Sequence, residues 1–215
     1  MIRRAGSSAA RAAAGLVLLH GRGSTAGDIL GLLDALALPG IAAAAPEAPG
    51  QSWWPTSFLA PAAQMAPFVE SGLAAVGAAV AALESEGLAR ERIWLAGFSQ
   101  GACLALEAFA REGGGLAGAF GLSGGLVGMA DGPGEASAAL YGHRPKRLAY
   151  PGRRDGASVW ISVHARDPHI PLLRVRESAE ALRTMGADVG LQVYPGAGHA
   201  VMREDVAAMR ARLNR

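Results

Sequence analysis

A serine lies at the centre of the five-residue stretch Gly97-Phe98-Ser99-Gln100-Gly101. The stretch follows a mainly apolar run at 92–96 and precedes an alanine- and leucine-rich run at 102–109, so we predict that it joins a buried strand to a helix. A G-x-S-x-G turn in that setting is a nucleophile elbow, in which the serine projects from the edge of a sheet. Because glycine accounts for 30 of 215 residues, the flanking strand and helix support this prediction more than the five residues alone.

Two further residues could activate this serine. A serine hydroxyl becomes a good nucleophile when a base removes its proton, and the base must be oriented by a third group. Asp167 follows a predicted strand at 159–163 and His199 follows one at 189–194, which gives the chain order Ser, Asp, His of doubly wound hydrolases. Because ligands of such sheets bind outside the carboxyl ends of the strands, we expect Ser99, Asp167 and His199 to meet there as a catalytic triad.

Stabilising the oxyanion of such a reaction requires two main-chain N–H groups. The residue after the nucleophile, here Gln100, supplies one at a helix N-terminus, where amides lack intrahelical acceptors. The loop His20-Gly21-Arg22-Gly23 follows the first apolar strand, and its glycines allow close approach of the main chain to a substrate. We predict that the Arg22 amide is the second donor. If only that amide matters, replacing the Arg22 side chain by leucine should retain activity.

Other residues near these motifs allow more than one interpretation. His164, Asp167 and His169 could bind a metal, but the group lacks a fourth ligand and the i, i+4 spacing of a helical site. We therefore predict no metal. Cys103 lies one turn after Ser99 on the predicted helix and is expected to be a buried packing residue.

We predict substrate contacts at Trp53, Trp54, His20 and Ile170. The two tryptophans lie in a proline-rich loop. They could pack in the core or form the wall of an acyl pocket, and we favour the wall. His20 lies at a junction of strand and loop, where it is expected to support the loop by hydrogen bonding rather than to act as a base. Ile170 follows the predicted acid by three positions.

The composition favours a globular protein with a large core, since 51% of the residues are hydrophobic and 18% are charged. The net charge of +2 comes from arginines spread along the chain, which argues against a nucleic-acid partner. A single cysteine excludes an intramolecular disulfide and fits a reducing compartment. The first strongly apolar run, at 16–19, is too short to span a bilayer. We expect residues 1–13 to be a loose extension of a cytoplasmic protein without stable membrane insertion.

Strands alternate with helices along the rest of the chain. Apolar runs predict strands at 15–20, 41–45, 92–96, 116–122, 159–163 and 189–194. Amphipathic periodicity predicts helices at 29–36, from about 67 to 83, at 172–185 and at 206–213, besides the helix after the elbow. Residues 126–157 show no clear periodicity and are expected to be irregular. The alternation predicts a mainly parallel twisted sheet with helices on both faces, and one α/β domain over residues 14–215.

These motifs together resemble the phospholipase/carboxylesterase family of the α/β-hydrolase superfamily, which includes the acyl-protein thioesterases. The resemblance extends over nearly the whole chain from residue 15. Its segments are Leu18-Leu19-His20-Gly21-Arg22-Gly23, Pro49-Gly50-Gln51-Ser52-Trp53-Trp54-Pro55, Gly97-Phe98-Ser99-Gln100-Gly101, Leu122-Ser123-Gly124-Gly125, Asp167-Pro168-His169-Ile170-Pro171 and Tyr194-Pro195-Gly196-Ala197-Gly198-His199.

The resemblance implies an α/β-hydrolase fold with little or no lid, no cofactor, and often a homodimer. It also implies that Ser99, Asp167 and His199 are the triad and that the Arg22 and Gln100 amides are the oxyanion donors. The chain departs from the family at 164–166, where a small residue and a further acidic residue are usual, and at Trp54, where tyrosine is common.

The sequence thus predicts a serine carboxylesterase that hydrolyses small-molecule esters of short or medium acyl chains. A lysophospholipase or an acyl-thioesterase for longer chains remains an alternative, because the sequence does not give the depth of the pocket. A hydrolase-fold protein that binds a ligand without turning it over is an alternative of another class. Such a protein usually lacks a triad member, and none is missing here.

Overall fold

The computed structural model describes residues 1–214 and contains nine strands in that range. They are β1 Ile2–Gly6, β2 Ala14–Leu19, β3 Ile41–Pro46, β4 Ile93–Phe98, β5 Gly118–Leu122, β6 Ala130–Asp131, β7 Lys146–Arg147, β8 Ser158–Arg166 and β9 Asp188–Ala197. Seven of them form one sheet in the order β1-β3-β2-β4-β5-β8-β9, while β6 and β7 form a separate hairpin. All neighbouring pairs in the sheet are parallel except β1 with β3.

Helices cover both faces of this sheet. They are α1 Ala26–Leu30, α2 Leu32–Leu36, α3 Ala62–Ser85, α4 Gln100–Glu112, α5 Leu172–Thr184 and α6 Arg203–Leu213. The hydrophobic residues of α3, α4 and α5 pack on one face, and those of α1, α2 and α6 pack on the other. The central strands are apolar on both sides for this reason: Val17 and Leu19 of β2 pack on the first face, and Leu16 and Leu18 on the second. The prediction of an α/β-hydrolase fold is confirmed.

The helix expected at 29–36 is divided into α1 and α2 at Gly31. The first turn of α1 is fixed by a capping box, in which the Thr25 hydroxyl accepts from the Asp28 N–H and the Asp28 carboxylate accepts from the Thr25 N–H. The helix therefore begins at a threonine cap before residue 29, and glycine interrupts it in the middle.

Helix α3 begins at Ala62, five residues before the start expected near Pro67. A different proline, Pro61, occupies its cap position, and the Asp131 carboxylate accepts from the Ala62 N–H at 3.0 Å. Within residues 1–214, α3 is the one helix long and apolar enough to span a membrane. Its larger apolar side chains are buried against the sheet, and much of its exposed face is alanine, as in a core helix of a globular domain.

The N-terminal segment differs from the expected loose extension over residues 1–13. Residues 2–6 form the edge strand β1, which pairs antiparallel with β3 and aligns Ala5 with Ala43. The Ser7 N–H continues this pairing by donating to the Ile41 carbonyl at 2.7 Å, and Ala9 and Ala12 are buried. The segment has no strong hydrophobic alternation, so its structure comes from the main-chain groups that the outer edge of β3 offers rather than from its own side chains.

Candidate active site

Ser99 lies between β4 and α4 with φ 56° and ψ −120°. A side-chain-bearing residue rarely adopts a positive φ, and such a backbone persists only where its surroundings enforce it. A Cβ atom at Gly97 would lie 2.3 Å from the main chain of Gly101, and one at Gly101 would lie 2.1 Å from the Leu19 carbonyl oxygen. Both glycines are required by this close crossing of strand and helix, which is the geometry predicted for a nucleophile elbow.

The three residues predicted as a triad come together at the carboxyl ends of β4, β8 and β9. His199 Nε2 lies 2.8 Å from Ser99 Oγ, and His199 Nδ1 lies 2.8 Å from Asp167 Oδ2. Asp167 is 1% exposed, whereas Ser99 and His199 face the cleft and are half-buried. In this arrangement Nδ1–H can donate to the carboxylate while Nε2 accepts from the serine hydroxyl.

Asp167 is oriented by the main chain around it. A bulge between His164 and Arg166 ends the regular pairing of β8 with β9 just before the acid. The second carboxylate oxygen, Oδ1, accepts from the N–H groups of His169 at 2.9 Å and Ile170 at 3.0 Å. Burial alone would raise the pKa of Asp167, but the hydrogen bonds from His199 and from these amides outweigh it and lower the pKa below its ordinary value of 3.8. The carboxylate is therefore ionised at neutral pH.

The loop that carries His199 rests on the buried ring of His164. A Cβ atom at Gly198 would lie 2.7 Å from that ring, so glycine is needed for the contact. The His199 ring also lies 4.9 Å from the Phe98 ring and, edge to face, 4.9 Å from the His169 ring. The unusual residue before the acid, His164, thus supports the loop of the base.

Two amides beside Ser99 have the properties of oxyanion donors. Gln100 is the first residue of α4, so its N–H has no intrahelical acceptor. A Cβ at Gly21 would lie 3.4 Å from Ser99 Cβ, which shows that the loop after β2 passes directly beside the serine. In that loop the N–H groups of Gly23 and Ser24 donate to other carbonyls, whereas no acceptor within residues 1–214 takes the Arg22 N–H. The structure thus places the amides of Arg22 and Gln100 beside Ser99, and their role as oxyanion donors stays a prediction.

The serine opens into a cleft of about 640 Å³. One wall is formed by the loop between β3 and α3, residues 47–61, which we call the wall loop; it contributes Trp54 and Phe58. Ile170 and Cys103 also line the cleft. Trp54 and Ile170, two of the predicted substrate contacts, thus line the cleft.

His20 and Trp53, the other two predicted contacts, are absent from the cleft lining. His20 is fully buried, and because its Nε2 accepts from the Ala48 N–H at 3.1 Å, its Nδ1 carries the proton and donates to the Gly21 carbonyl at 2.8 Å. Trp53 is 5% exposed, and its indole N–H donates to the His20 carbonyl at 3.0 Å. Both residues hold the wall loop against the loop after β2, so the prediction that they touch substrate is wrong.

Cys103 lines the cleft one turn after Ser99, and its side chain is buried. This burial raises the pKa of its thiol to about 12. The thiol therefore stays protonated at neutral pH and is not a competing nucleophile. Its role is that of a packing residue at the cleft, as predicted.

The irregular segment 126–157 reaches the site, which the sequence did not predict. The Tyr141 hydroxyl donates to the Asp167 main-chain carbonyl, and its ring lines the cleft. Lys146, the single lysine of the chain, is buried and donates to the Ala60 carbonyl and to Asp131. The segment thus contacts both the acid and the wall loop. A lone lysine forms no periodic pattern, so the sequence carries no signal for these contacts.

The histidines that flank the acid do not converge on a metal site. His164 packs its ring against Tyr194, while Asp167 is bonded to His199. In the part of the chain that the structure describes, no group of three or more His, Cys, Asp or Glu side chains could hold a metal ion.

Comparison with known proteins places this geometry in context. A family model described as phospholipase/carboxylesterase matches residues 3–140, which include the loop after β2, the wall loop and the elbow. Acyl-protein thioesterase 1 of Gibberella zeae is 31% identical over 130 residues, which are 60% of this chain and 50% of that protein. The match thus spans about half the length of the curated relative.

Solved structures extend the likeness to the whole chain. A phospholipase/carboxylesterase from Dyadobacter fermentans is 37% identical, with a TM-score of 0.84, over 100% of this chain and 96% of that one. A carboxylesterase from Mesorhizobium loti is 21% identical, with a TM-score of 0.73, over 99% of this chain and 93% of that one. At that identity the second likeness concerns the fold alone.

Proposed function

Because the chain belongs to the phospholipase/carboxylesterase family, we propose that it is a serine hydrolase that cleaves carboxylic esters of short or medium acyl chains. The observation that carries the proposal is the relay of two 2.8 Å hydrogen bonds from Asp167 through His199 to Ser99. Beside it lie an open cleft, the first amide of α4 and the Arg22 amide, which has no acceptor among residues 1–214. Such a relay activates a serine hydroxyl, and such amides stabilise the oxyanion that its attack creates.

In the acylation step, Ser99 Oγ attacks the ester carbonyl while His199 Nε2 takes its proton. Asp167, ionised because its pKa is lowered, holds the proton on Nδ1 and stabilises the imidazolium that forms. The Arg22 and Gln100 amides donate to the developing oxyanion, and the loss of such a donor typically costs about 3–4 kcal/mol of transition-state stabilisation. His199 then gives its proton to the leaving alcohol, which departs and leaves an acyl group on Ser99.

In the deacylation step, water takes the position of the alcohol. His199 removes a proton from this water, the resulting hydroxide attacks the acyl carbonyl, and the same two amides hold the second oxyanion. Collapse of this intermediate breaks the bond to Ser99 Oγ, which regains its proton from His199. The products are a carboxylic acid and the free enzyme.

The lining of the cleft supports the proposed range of acyl chains. Its apolar lining comes from Trp54, Phe58, Phe98 and Ile170, and polar side chains such as Thr56 and Ser57 interrupt it. A lining of this kind favours short and medium chains over long ones, since each polar group that a longer chain covers loses its hydration.

We also propose that the enzyme acts in the cytoplasm, with no nucleic-acid partner or membrane insertion, and assembles as a homodimer.

Acyl transfer from thioesters is a second candidate activity. The curated relative from Gibberella zeae is named an acyl-protein thioesterase, and a serine acyl-enzyme forms from a thioester by the same steps with a thiol as leaving group. A preference for thioesters over esters of the same acyl group would favour this candidate.

The test is hydrolysis of p-nitrophenyl esters from acetate to palmitate, with Ser99→Ala as the blank. The proposal predicts a maximum at short or medium chains and a loss of activity of at least about 10⁴-fold in the variant, because no other nucleophile replaces the serine. A maximum at the longest chains would favour a lysophospholipase or a thioesterase. Full activity in Ser99→Ala would refute the mechanism, and a wild-type protein without activity on any ester or thioester would favour ligand binding without turnover.

A further inference from the structure

One guanidinium holds three consecutive carbonyls of the wall loop. Arg22 Nη2 donates to the carbonyls of Trp54, at 3.2 Å, and Thr56, and Arg22 Nη1 donates to that of Pro55 at 3.2 Å. The forked shape of a guanidinium suits several acceptors at once, and a charged donor makes stronger hydrogen bonds than a neutral one. The Arg22 side chain therefore connects the loop after β2 to the part of the wall loop that lines the cleft.

A second side chain holds the same stretch from the other side. Gln100 is 6% exposed, and its Oε1 accepts from the Trp53 N–H at 2.8 Å while its Nε2 donates to the Trp54 carbonyl at 2.7 Å. The Ser52 hydroxyl donates to the same Trp54 carbonyl at 2.7 Å. The Trp54 carbonyl is thus the point where the bonds from Arg22, Gln100 and Ser52 meet.

Main-chain hydrogen bonds do not replace these contacts. The Gly23 N–H donates to the Gln51 carbonyl at 2.8 Å, but within residues 1–214 no main-chain group of another segment bonds to the main chain of 53–56. Since Pro55 has no N–H, that stretch also has fewer groups with which to form such bonds. Its position therefore depends on the side chains that hold it.

We infer that the side chains of Arg22 and Gln100 determine the acyl-chain range of the cleft by fixing the wall loop at Trp54. The inference rests on the proposed ester hydrolysis. In it, the side chains of these two residues position the wall loop, whereas their main-chain amides donate to the oxyanion. Trp54 and Phe58 line the cleft from this loop, so a loop that is free to move gives the distal part of an acyl chain fewer contacts. An acetyl group, which lies close to Ser99 and the amides, does not depend on them.

The test measures one ratio in the wild type and in each variant. This ratio is kcat/KM for the medium-chain ester that the wild type hydrolyses best, divided by kcat/KM for the acetate ester. In Arg22→Met and in Gln100→Leu both main-chain amides remain, and any loss of activity shared by the acetate and the medium-chain ester cancels in this ratio. The ratio should fall about fourfold, since the loss of contact with one methylene changes binding by a factor of about four. The fall should come from a higher KM, because contacts to a remote acyl chain are made equally in the ground state and the transition state.

Two matched variants distinguish positioning from general stability. Arg22→Lys keeps the charge but can reach fewer carbonyls, so it should give an intermediate ratio. Arg90 also donates to main-chain carbonyls, those of Gly114 and Glu112, at the opposite end of β4. Arg90→Met should lower the thermal midpoint but leave the ratio within about twofold, because it touches no part of the cleft.

Each outcome has a defined meaning. An unchanged ratio in folded Arg22→Met and Gln100→Leu, in an enzyme that Ser99→Ala inactivates, overturns this inference and leaves the proposed function intact. An equal loss on acetate and on medium-chain esters also overturns it, because the side chains would then act on the oxyanion donors. A wild-type protein that hydrolyses no ester overturns both.

Discussion

The two sides of the cleft are held by different means. On the side of the triad, main-chain geometry dominates: the Ser99 elbow is enforced by the close approach of two glycines, and Asp167 is held by the amides of His169 and Ile170. On the side of the wall loop, side chains dominate, with Arg22 and Gln100 bonded to its carbonyls.

This difference separates chemistry from selectivity. A group that is held by main-chain contacts keeps its position when neighbouring side chains are substituted. This suits groups that must stay within hydrogen-bond distance of a reacting atom. A loop held by side chains can be changed by one substitution without altering the elbow. We therefore expect changes on the triad side to abolish activity or folding, and changes on the wall side to shift which esters are used.

The largest effect is expected from Asp167→Asn. The oxygen of the new carboxamide side chain can still accept from the main-chain N–H groups of His169 and Ile170. Its NH2 group, however, can donate to His199 Nδ1 and so favour the wrong tautomer of the base. We expect kcat to fall about 10⁴-fold with little change in KM. Steady-state kinetics on the best ester will measure this, and a loss below about tenfold would mean that the acid does not orient His199.

The second largest effect is expected from Gly101→Ala. The added methyl would lie 2.1 Å from the Leu19 carbonyl oxygen, which belongs to a central strand and cannot move away. We expect the free energy of unfolding to fall by about 3 kcal/mol or more, at the upper end of overpacking. Gly77→Ala on α3, where a Cβ meets open space, is the control and should be neutral or slightly stabilising. Similar urea midpoints for the two variants would contradict a sterically enforced elbow.

A smaller effect is expected at the ion pair of Lys146 and Asp131, which lies within segment 126–157 beside the start of α3. The Lys146 side chain is 1% exposed and that of Asp131 is 46% exposed. Asp131→Ala should therefore cost more than Lys146→Met, about 2 against 1 kcal/mol, because it leaves the buried ammonium without its counter-charge and removes the acceptor of the Ala62 N–H. Urea unfolding will measure both. The exposed pair of Arg144 and Glu135 is the control, since Glu135→Ala should change stability by at most about 1 kcal/mol. The reverse order at the buried pair would show that Lys146 is accessible to water.

The smallest effect is expected in the dependence of stability on pH. The pKa of Asp167 is lowered in the folded protein, so the unfolded chain binds its proton first as the pH falls. Its contribution to stability is therefore complete above the ordinary value of 3.8 and is lost as the pH falls through the lower folded value. Asp167→Asn should lose less stability than the wild type between about pH 5 and 3. Glu70→Gln, on the exposed face of α3, controls for the change in charge. Parallel curves for wild type and Asp167→Asn would contradict the lowered pKa.

The difference between the triad side and the wall side of the cleft also explains which features could be predicted from the sequence. Ser99, Asp167 and His199 each follow an apolar run, and parallel strands bring their carboxyl ends to one edge, so the sheet and the meeting of these residues follow from local patterns. The edge strand β1 lacks such a pattern because alanine and arginine give no clear alternation. It was missed because its pairing depends on β3 rather than on its own sequence.

The wall side could not be predicted in the same way. The Arg22 and Gln100 side chains act on residues more than thirty positions away, and neither residue type has a periodic signal for such a contact. His20 was rightly expected to form hydrogen bonds within the fold, but its burial beneath Trp53 removes it from the cleft. Tyr141 lies in a segment without periodicity, so its bond to the Asp167 carbonyl had no signal in the sequence.

The most direct test of the central claim is to trap the acyl group on the enzyme. The wild-type protein is mixed with p-nitrophenyl acetate, quenched in acid during turnover and digested for mass spectrometry. The account predicts one acetyl group on the peptide that contains Ser99 and none on the corresponding peptide of Ser99→Ala. Hydrolysis at the wild-type rate without an acyl group on that peptide would contradict it.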